Sequence, residues 1–312
     1  MEKMIAELKD NDRVEGQYLI VNVAKCLNER GAYLNMDLRD SSGVINAKKW
    51  EVSEEDLAIC EVNTVINVVG TALKYKDALQ LKIHSVSRVD NDHIDTTKFI
   101  KKAPIEQKEL IAKFNHYLNE VRNPDCKKII DYLINRLSNK IYEYPAAVSV
   151  HHDYLYGLLM HTTSMLEIAE FMVNHYPDVD KDLLYSGVIL HDLGKTIEFE
   201  GPVIFKYSLE GRLLGHITIM VSEIRKAAEE LHIDNEIPLL LEHMVLSHHG
   251  QPDYGSPVLP LTKEAMLLSM IDNLDSKMVI MEKALENVKE GEFSQKVYPL
   301  DGRFLYKPKK KD

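Results

Sequence analysis

Hydrophobic and polar positions alternate in short runs between residues 14 and 88. In YLNMDL (33–38) every second residue is leucine or methionine, and in LQLKI (79–83) every second residue is leucine or isoleucine. A period of two is typical of strands with one buried and one solvated face. Turn residues separate the runs, which predicts five strands: residues 18–26, 32–40, 43–50, 64–75 and 78–86.

Five strands over this length predict a small β-barrel. The OB-fold is a five-stranded barrel of this kind, and one of its faces commonly binds single-stranded nucleic acid. Aromatic rings can stack on bases, and lysines can contact phosphates. The predicted contacts are therefore Tyr33, Lys48, Trp50, Lys74, Tyr75 and Lys76. The alternative is that Trp50 and Tyr75 belong to the barrel core and that the lysines are ordinary solvated turn residues.

From about residue 91 the hydrophobic spacing becomes that of helices. A charged stretch comes first, in which Pro104 suits the first turn of a helix. Glycine and proline then punctuate a series of helical segments, and Thr262 suits the start of the longest. We predict a multidomain α and β protein: a five-stranded OB-type barrel at 1–90, a helical linker region at 91–145, an all-α domain at 146–305 and a disordered basic tail at 306–312.

Composition excludes several classes of protein. The 312 residues suffice for two domains, and 45% hydrophobic residues with mixed charge describe a globular chain. Cys26, Cys60 and Cys126 lie far apart without a C-x-x-C spacing, which favours reduced structural cysteines. No apolar run reaches membrane-spanning length and the N-terminus lacks a secretory pattern, so we expect a cytoplasmic protein. The net charge of −11 disfavours non-specific nucleic-acid binding but leaves room for a local basic groove.

Ionisable residues recur at inward positions of the helical segments. His161 follows Leu158 on an apolar stripe, and His216 is predicted to share such a stripe with Leu213 and Met220. The other members are His191 and Asp192 in HDLGK, His248 and His249 in SHHG, and Asp272 in IDNLD. A single inward histidine is usually a satisfied core residue, but buried polar groups are costly when they lack partners. Together, five imidazoles and two carboxylates favour two metal ions bridged by Asp192.

The order of these motifs resembles the HD superfamily of metal-dependent phosphohydrolases in its two-metal version. Longer segments extend the likeness: HHDYLYGLLMHT, GVILHDLGK, EGRLLGHI, LSHHGQPDYGSPVLPLTKEA and IDNLDSKM, after the barrel segment YLNMDLRDSSGVINAKKW. Over nearly the whole chain, they resemble the YhaM-type bacterial 3′-to-5′ exoribonucleases.

The resemblance implies a set of site residues. One metal would be held by His161, His191, Asp192 and Asp272, and the other by Asp192, His216, His248 and His249. Asp192 and Lys195 would be catalytic, with the lysine stabilising charge on the scissile phosphate. His151 and His152 would lie on the substrate side, or one of them would cap a helix. Some two-metal HD proteins have a glutamate ligand one turn before the first histidine; this chain has Gly157 there, so it lacks that ligand.

The resemblance also implies an activity: hydrolysis of single-stranded RNA from its 3′ end to nucleoside 5′-monophosphates by two-metal catalysis. It favours Mn²⁺, and the mixed imidazole and carboxylate ligands also suit iron, cobalt or zinc. Single-stranded DNA is a second candidate substrate, and homo-oligomerisation stays open. One alternative is an HD-type nucleotidase or cyclic-dinucleotide phosphodiesterase, against which the strand-binding barrel argues. Another is a non-catalytic nucleic-acid-binding regulator, against which the seven candidate ligands and Lys195 argue.

Overall fold

A computed structural model gives the positions of most of the chain. The residues that it describes are 3–28, 31–75, 78–89, 96–99, 107–138, 140–142, 144, 156–200 and 206–310. The chain divides into two compact units, of which the first comprises residues 1–102 with 201–206 and the second comprises residues 103–200 with 207–312. Pro104 lies outside the described residues.

The first unit contains a closed five-stranded barrel. Its strands are β1 (Arg13–Asn28), β2 (Gly31–Asp40), β3 (Gly43–Trp50), β4 (Val65–Tyr75) and β5 (Ala78–Arg88). Their order around the barrel is β1-β2-β3-β5-β4, and β3 runs parallel to β5 while the other pairs are antiparallel. Because β1 is long, its first half pairs with β4 and its second half with β2, which closes the sheet. This strand order is that of an OB-fold, so the predicted barrel is confirmed.

The alternation read from the sequence defines the barrel core. Leu34, Met36 and Leu38 are at most 2% exposed, and they pack with Leu81 and Ile83 of β5. A short helix that the pattern did not predict, α1 (Glu54–Ile59), follows β3. Ser53 caps it, with its side chain accepting a hydrogen bond from the Asp56 backbone.

The second unit is helical. Its helices are α2 (Gln107–Glu120), α3 (Pro124–Arg136), α4 (Gly157–His175), α5 (Lys181–Leu190), α6 (Lys195–Glu198), α7 (Leu209–Glu230), α8 (Ile237–Ser247) and α9 (Lys263–Leu285). Two short strands, β6 (Phe199–Glu200) and β7 (Lys206–Tyr207), form a two-stranded sheet. The Thr262 side chain caps α9 by accepting a hydrogen bond from Ala265, as its position in the sequence predicts. None of the helices in the described part of the chain is long and apolar enough to cross a membrane. The predicted fold class, an OB-type barrel followed by an all-α domain, is thus confirmed.

From residue 103 onward, the region that the sequence suggests as a helical linker belongs to the second unit. Its two helices, α2 and α3, pack against the helices that follow: Phe114 and Leu110 are almost fully buried, and the Tyr117 hydroxyl donates to Glu170 at 2.8 Å. Lys181 at the start of α5 pairs with Glu120 at 2.6 Å. Buried apolar area and specific polar contacts therefore fix α2 and α3 to the helical unit.

The segment after α9 forms an irregular hairpin. Isolated bridges pair Phe293 with Tyr306 and Val297 with Arg303. Lys307 continues the pairing, because its N–H donates to Glu292 at 3.0 Å and its carbonyl accepts from Gly291 at 2.8 Å. The prediction of disorder from residue 306 is therefore wrong for its first residues, which backbone hydrogen bonds hold in place.

Candidate metal centre

The helices bring together all seven side chains that the sequence suggests as metal ligands. Asp192 lies at the centre, at the turn that follows α5. One of its carboxylate oxygens, Oδ2, is 3.4 Å from His191 Nε2 and 3.8 Å from His161 Nε2. The other, Oδ1, is 3.4 Å from His216 Nε2 and 3.9 Å from His248 Nε2. A single carboxylate thus faces imidazoles on two sides.

The ligand atoms form two groups. In one, His161, His191 and Asp192 each offer an atom within 4.8 Å of the others; in the other, His216, His248 and His249 do the same. Asp272 adjoins the first group, with Oδ1 at 3.3 Å from His161 Nε2. Asp192 therefore lies between the two groups, with one carboxylate oxygen toward each.

Two of the histidines are oriented by backbone carbonyls. His191 Nδ1 lies 2.8 Å from the Val188 carbonyl, and His248 Nδ1 lies 2.7 Å from the Val245 carbonyl. A carbonyl only accepts, so each Nδ1 carries the proton and each Nε2 presents its lone pair to the centre. Both rings are fully buried, and their Nε2 atoms make no hydrogen bond to any described residue.

These features test whether metal ions fit the site. The Nε2 atom of His216 and Oδ1 of Asp192 are also buried without a hydrogen bond among the described residues. Leaving such groups unsatisfied costs about 1–3 kcal/mol each. Convergent imidazole lone pairs and an ionised carboxylate are the donors that divalent transition metals prefer. The residues therefore fit metal ions, which would satisfy all of these atoms at once.

His161 is positioned by a residue that the sequence reading missed. Its Nδ1 lies 2.7 Å from Asp275 Oδ2, and the Ser164 hydroxyl donates to the other oxygen of Asp275. Asp275 is buried and lies one turn after Asp272 on α9. The spacing of three between these two aspartates was the signal available in the sequence, since residues three apart share a helix face.

His216 is held by Glu198, a second residue that the sequence reading missed. Glu198 Oε2 lies 3.1 Å from His216 Nδ1, and Oε1 accepts a hydrogen bond from the His216 backbone at 3.3 Å. Carboxylates commonly orient metal-binding histidines in this way. The signal available in the sequence was a glutamate three residues after Lys195, flanked by the apolar residues Ile197 and Phe199.

The stripe predicted for His216 is wrong on one side. Met220 is fully buried as expected, but Leu213 is 74% exposed. The cause is Gly215, whose φ of 70° and ψ of 156° interrupt α7 immediately before the histidine. Residues before and after the interruption do not share one helical phase, so spacing alone could not relate them.

The turn after α5 is fixed by close packing. A Cβ on Gly194 would lie 2.3 Å from the His216 carbonyl oxygen, so only glycine permits this approach of the HDLGK turn to α7. Lys195 begins α6 and places Nζ 2.6 Å from Asp192 Oδ2. The two residues that the resemblance makes catalytic therefore form an ion pair at the centre.

Charges in the site set the protonation of its groups. Burial would raise the pKa of Asp192, but Lys195 and the neighbouring imidazoles outweigh it and hold that pKa well below its usual range. Burial, and then the adjacent imidazoles, lower the pKa of His248 well below its usual value, which keeps its lone pair available. Burial also opposes protonation of His161, but two carboxylates outweigh it and raise its pKa to about 9.

The predicted nucleic-acid contacts lie mostly on one face of the barrel. Tyr33 and Trp50 are cross-strand partners on β2 and β3, with ring centroids 4.5 Å apart. Lys48 Nζ lies 5.8 Å from the centroid of the Tyr75 ring, and Tyr75 and Trp50 are 55% and 36% exposed. These two aromatic residues are therefore not core residues. Lys74 alternates with Tyr75 along β4, so it lies on the other side of that strand.

Three predicted substrate-binding residues, Lys76, His151 and His152, lie outside the described residues. His243 on α8 accepts a hydrogen bond from the Leu261 backbone at 2.9 Å. It fixes the loop before α9.

Comparisons with known proteins found one family match and similarities to several solved structures. Residues 158–277 match the family described as the HD domain. The second OB-fold domain of replication protein A from Methanococcus maripaludis is 16% identical, with 30% of this chain and 100% of that chain covered and a TM-score of 0.25. A replication protein A heterotrimer bound to single-stranded DNA is 14% identical, with 29% of this chain and 66% of that chain covered and a TM-score of 0.22. A murine DNA-binding protein bound to double-stranded DNA is 14% identical, with 28% of this chain and 48% of that chain covered and a TM-score of 0.23.

The class of protein follows from the HD match and the site together. The matched segment begins just before His161 and ends just after Asp275, so it includes every residue of the centre described above. An HD domain indicates a metal-dependent phosphohydrolase, and the chain joins such a domain to an OB-type barrel.

Proposed function

We propose that this protein is a two-metal phosphodiesterase that degrades single-stranded RNA from the 3′ end and releases nucleoside 5′-monophosphates. The observation that carries the proposal is the position of Asp192, which faces imidazole Nε2 atoms from both of its carboxylate oxygens. The OB-type barrel supports a polymeric substrate, because a free nucleotide needs no extended binding face. The 3′ polarity and the preference for RNA come from the resemblance of the motifs.

The residues of the centre would divide between two ions. His161, His191 and Asp272 would hold the first, His216, His248 and His249 the second, and Asp192 would bridge them. Bound divalent ions would supply Lewis acidity at the phosphate and would lower the pKa of an attacking water. The donor set suits manganese, iron, cobalt or zinc, of which we favour manganese.

Other features of the centre concern the charge and orientation of the protein's own side chains. Asp192 is ionised at neutral pH, because its pKa is held well below the usual range. Lys195 lies beside it with its ammonium group 2.6 Å from the carboxylate, and it would neutralise charge that develops on a phosphate oxygen. Glu198 and Asp275 keep His216 and His161 oriented with Nε2 toward the centre.

The outward face of the barrel would bind the single-stranded nucleic acid. The Tyr33 and Trp50 rings are close enough to form one stacking platform, and Lys48 and Lys82 lie side by side on β3 and β5. Rings for bases and ammonium groups for phosphates are the combination that single-strand-binding proteins use.

The test is a direct comparison of substrates. The purified full-length chain with Mn²⁺ is incubated with 5′-labelled single-stranded RNA, single-stranded DNA, free nucleotides and cyclic dinucleotides. We expect progressive shortening of the RNA with release of 5′-monophosphates, and loss of that activity in Asp192→Asn at unchanged thermal stability. Hydrolysis of only the free or cyclic nucleotides would replace the proposal with a nucleotidase. No hydrolysis at full metal occupancy would favour a binding protein.

A further inference from the structure

The chain ends in a segment that the centre and the barrel do not use. Residues 291–310, here named the C-terminal hairpin, fold back on themselves after α9. Ser294 N–H donates to the Leu305 carbonyl at 2.7 Å, and the Ser294 hydroxyl accepts from the Leu305 N–H at 2.9 Å. At the tip, Val297 N–H donates to the Arg303 carbonyl at 2.8 Å. These bonds, with Leu300 and Leu305 buried beneath them, give the hairpin a defined shape.

All four aromatic rings of the hairpin face solvent. Tyr298, Phe293, Phe304 and Tyr306 are 77%, 65%, 61% and 46% exposed, whereas Leu305 between the last two is only 8% exposed. The rings of Phe293 and Tyr306, which are bridge partners, lie 5.1 Å apart. The hairpin thus buries its leucines and presents its aromatic residues, which is the reverse of what burial of apolar area favours.

The hairpin is also basic within an acidic protein. Its residues 291–310 contain five lysines or arginines and two carboxylates, whereas the whole chain has a net charge of −11. One of the cations, Lys296, places Nζ 5.6 Å from the centroid of the Tyr298 ring. A groove of about 580 Å³ runs beside these residues. It is lined by Phe293, Lys296 and Tyr298, by Ala284 at the end of α9 and by Val288 just after that helix.

We propose that the C-terminal hairpin is a second binding surface for single-stranded nucleic acid. Exposed rings provide stacking platforms for bases, and the surrounding cations attract the phosphates between them. An acidic protein segment would pair with the cations but would leave the four exposed rings without contacts. The rings therefore favour a ligand with unpaired bases. This surface goes beyond the proposed function, since binding here requires neither metal ions nor hydrolysis.

Binding is measured on the full-length chain in EDTA, so that the result is independent of catalysis. The probe is a fluorescein-labelled 20-nucleotide single-stranded RNA, followed by fluorescence anisotropy. We expect the double variant Tyr298→Ala, Phe304→Ala to raise Kd at least tenfold, because each stacked base is worth about 5- to 150-fold in affinity. The matched control is Phe171→Ala: this ring on α4 is 67% exposed, and its loss should change Kd less than twofold.

Two further measurements distinguish base stacking from non-specific charge attraction and locate the contact in the chain. Lys296→Gln should flatten the dependence of Kd on salt concentration. Ultraviolet cross-linking of 4-thiouridine RNA, followed by peptide mapping, should label residues 291–310. The proposal is overturned if the double variant binds RNA like the wild type at unchanged melting temperature. It is equally overturned if a polyaspartate peptide binds the wild type as tightly as RNA and shows the same loss in the variant.

Discussion

Asp275 Oδ2 lies 2.7 Å from His161 Nδ1, on the side of the ring opposite to Asp192. This contact decides which nitrogen of His161 can bind a metal, because a proton shared with Asp275 stays on Nδ1. The Ser164 hydroxyl in turn fixes the other oxygen of Asp275. The first group of ligands is therefore supported by a chain of contacts on α4 and α9.

Loss of this support should weaken metal binding more than folding. We expect Asp275→Asn to lower the affinity for Mn²⁺ at the site that His161 would help to form by about 10- to 100-fold, the usual effect of removing such a supporting carboxylate. Isothermal titration of metal-free protein measures it. Asp178→Asn is the control, since that carboxylate is 86% exposed and 3.7 Å from its lysine partner. Equal metal affinities in the Asp275 variant and the control would show that the contact is only structural.

We expect the close packing at Gly194 to be essential for the position of His216. In Gly194→Ala the new Cβ would meet the His216 carbonyl at 2.3 Å, so the histidine or the HDLGK turn must move. A displacement of about 1 Å at a reacting group can cost about 100-fold in rate, and we expect a loss of that order in kcat/KM. A chromogenic phosphodiester serves as substrate, since it needs no strand-binding face.

The control for this substitution is Gly43→Ala. There the nearest atom to a new Cβ is Ile5 Cγ2 at 3.7 Å, an ordinary contact. Unchanged turnover in Gly194→Ala, with the same metal content as the wild type, would mean that the turn is more adaptable than its packing suggests.

Trp50 provides a probe for the barrel face, because it is the single tryptophan of the chain. Its ring is 36% exposed beside Tyr33, so a base stacked on this pair should quench its fluorescence. We expect saturable quenching by single-stranded RNA and a Kd about 5- to 150-fold higher for Tyr33→Ala. Quenching that is equally strong with double-stranded RNA would argue against stacking of unpaired bases.

The cysteines should differ sharply in reactivity. Burial raises the pKa of both Cys60 and Cys126 to about 11, and a raised pKa means that the neutral thiol persists well above pH 9 in the folded protein. Because the thiolate is the reactive form, iodoacetamide at pH 8 should modify Cys26 only, and all three after denaturation. Mass spectrometry of the intact protein counts the adducts, and rapid labelling of a second cysteine in native protein would contradict the structure.

Much of the fold follows from local pattern. The alternation around Leu34, Met36 and Leu38 predicts the strands and the buried face, because side-chain direction in a strand has a fixed period of two. The helical stripe of His161 and the position of Thr262 are local in the same sense. The seven candidate ligands could likewise be named from the sequence, because the order of the histidine and aspartate motifs along the chain identifies them as candidates.

The contacts between segments were decided only by the tertiary structure. Glu198 and Asp275 support histidines that lie 18 and 114 positions away in the chain, and no spacing rule relates such positions. The interruption at Gly215 depends on a φ of 70°, which glycine permits but does not require, so the exposure of Leu213 could not be read from periodicity. Periodicity reports what one element does by itself, whereas orientation of a ring, closure of a barrel and convergence on Asp192 depend on which elements pack together.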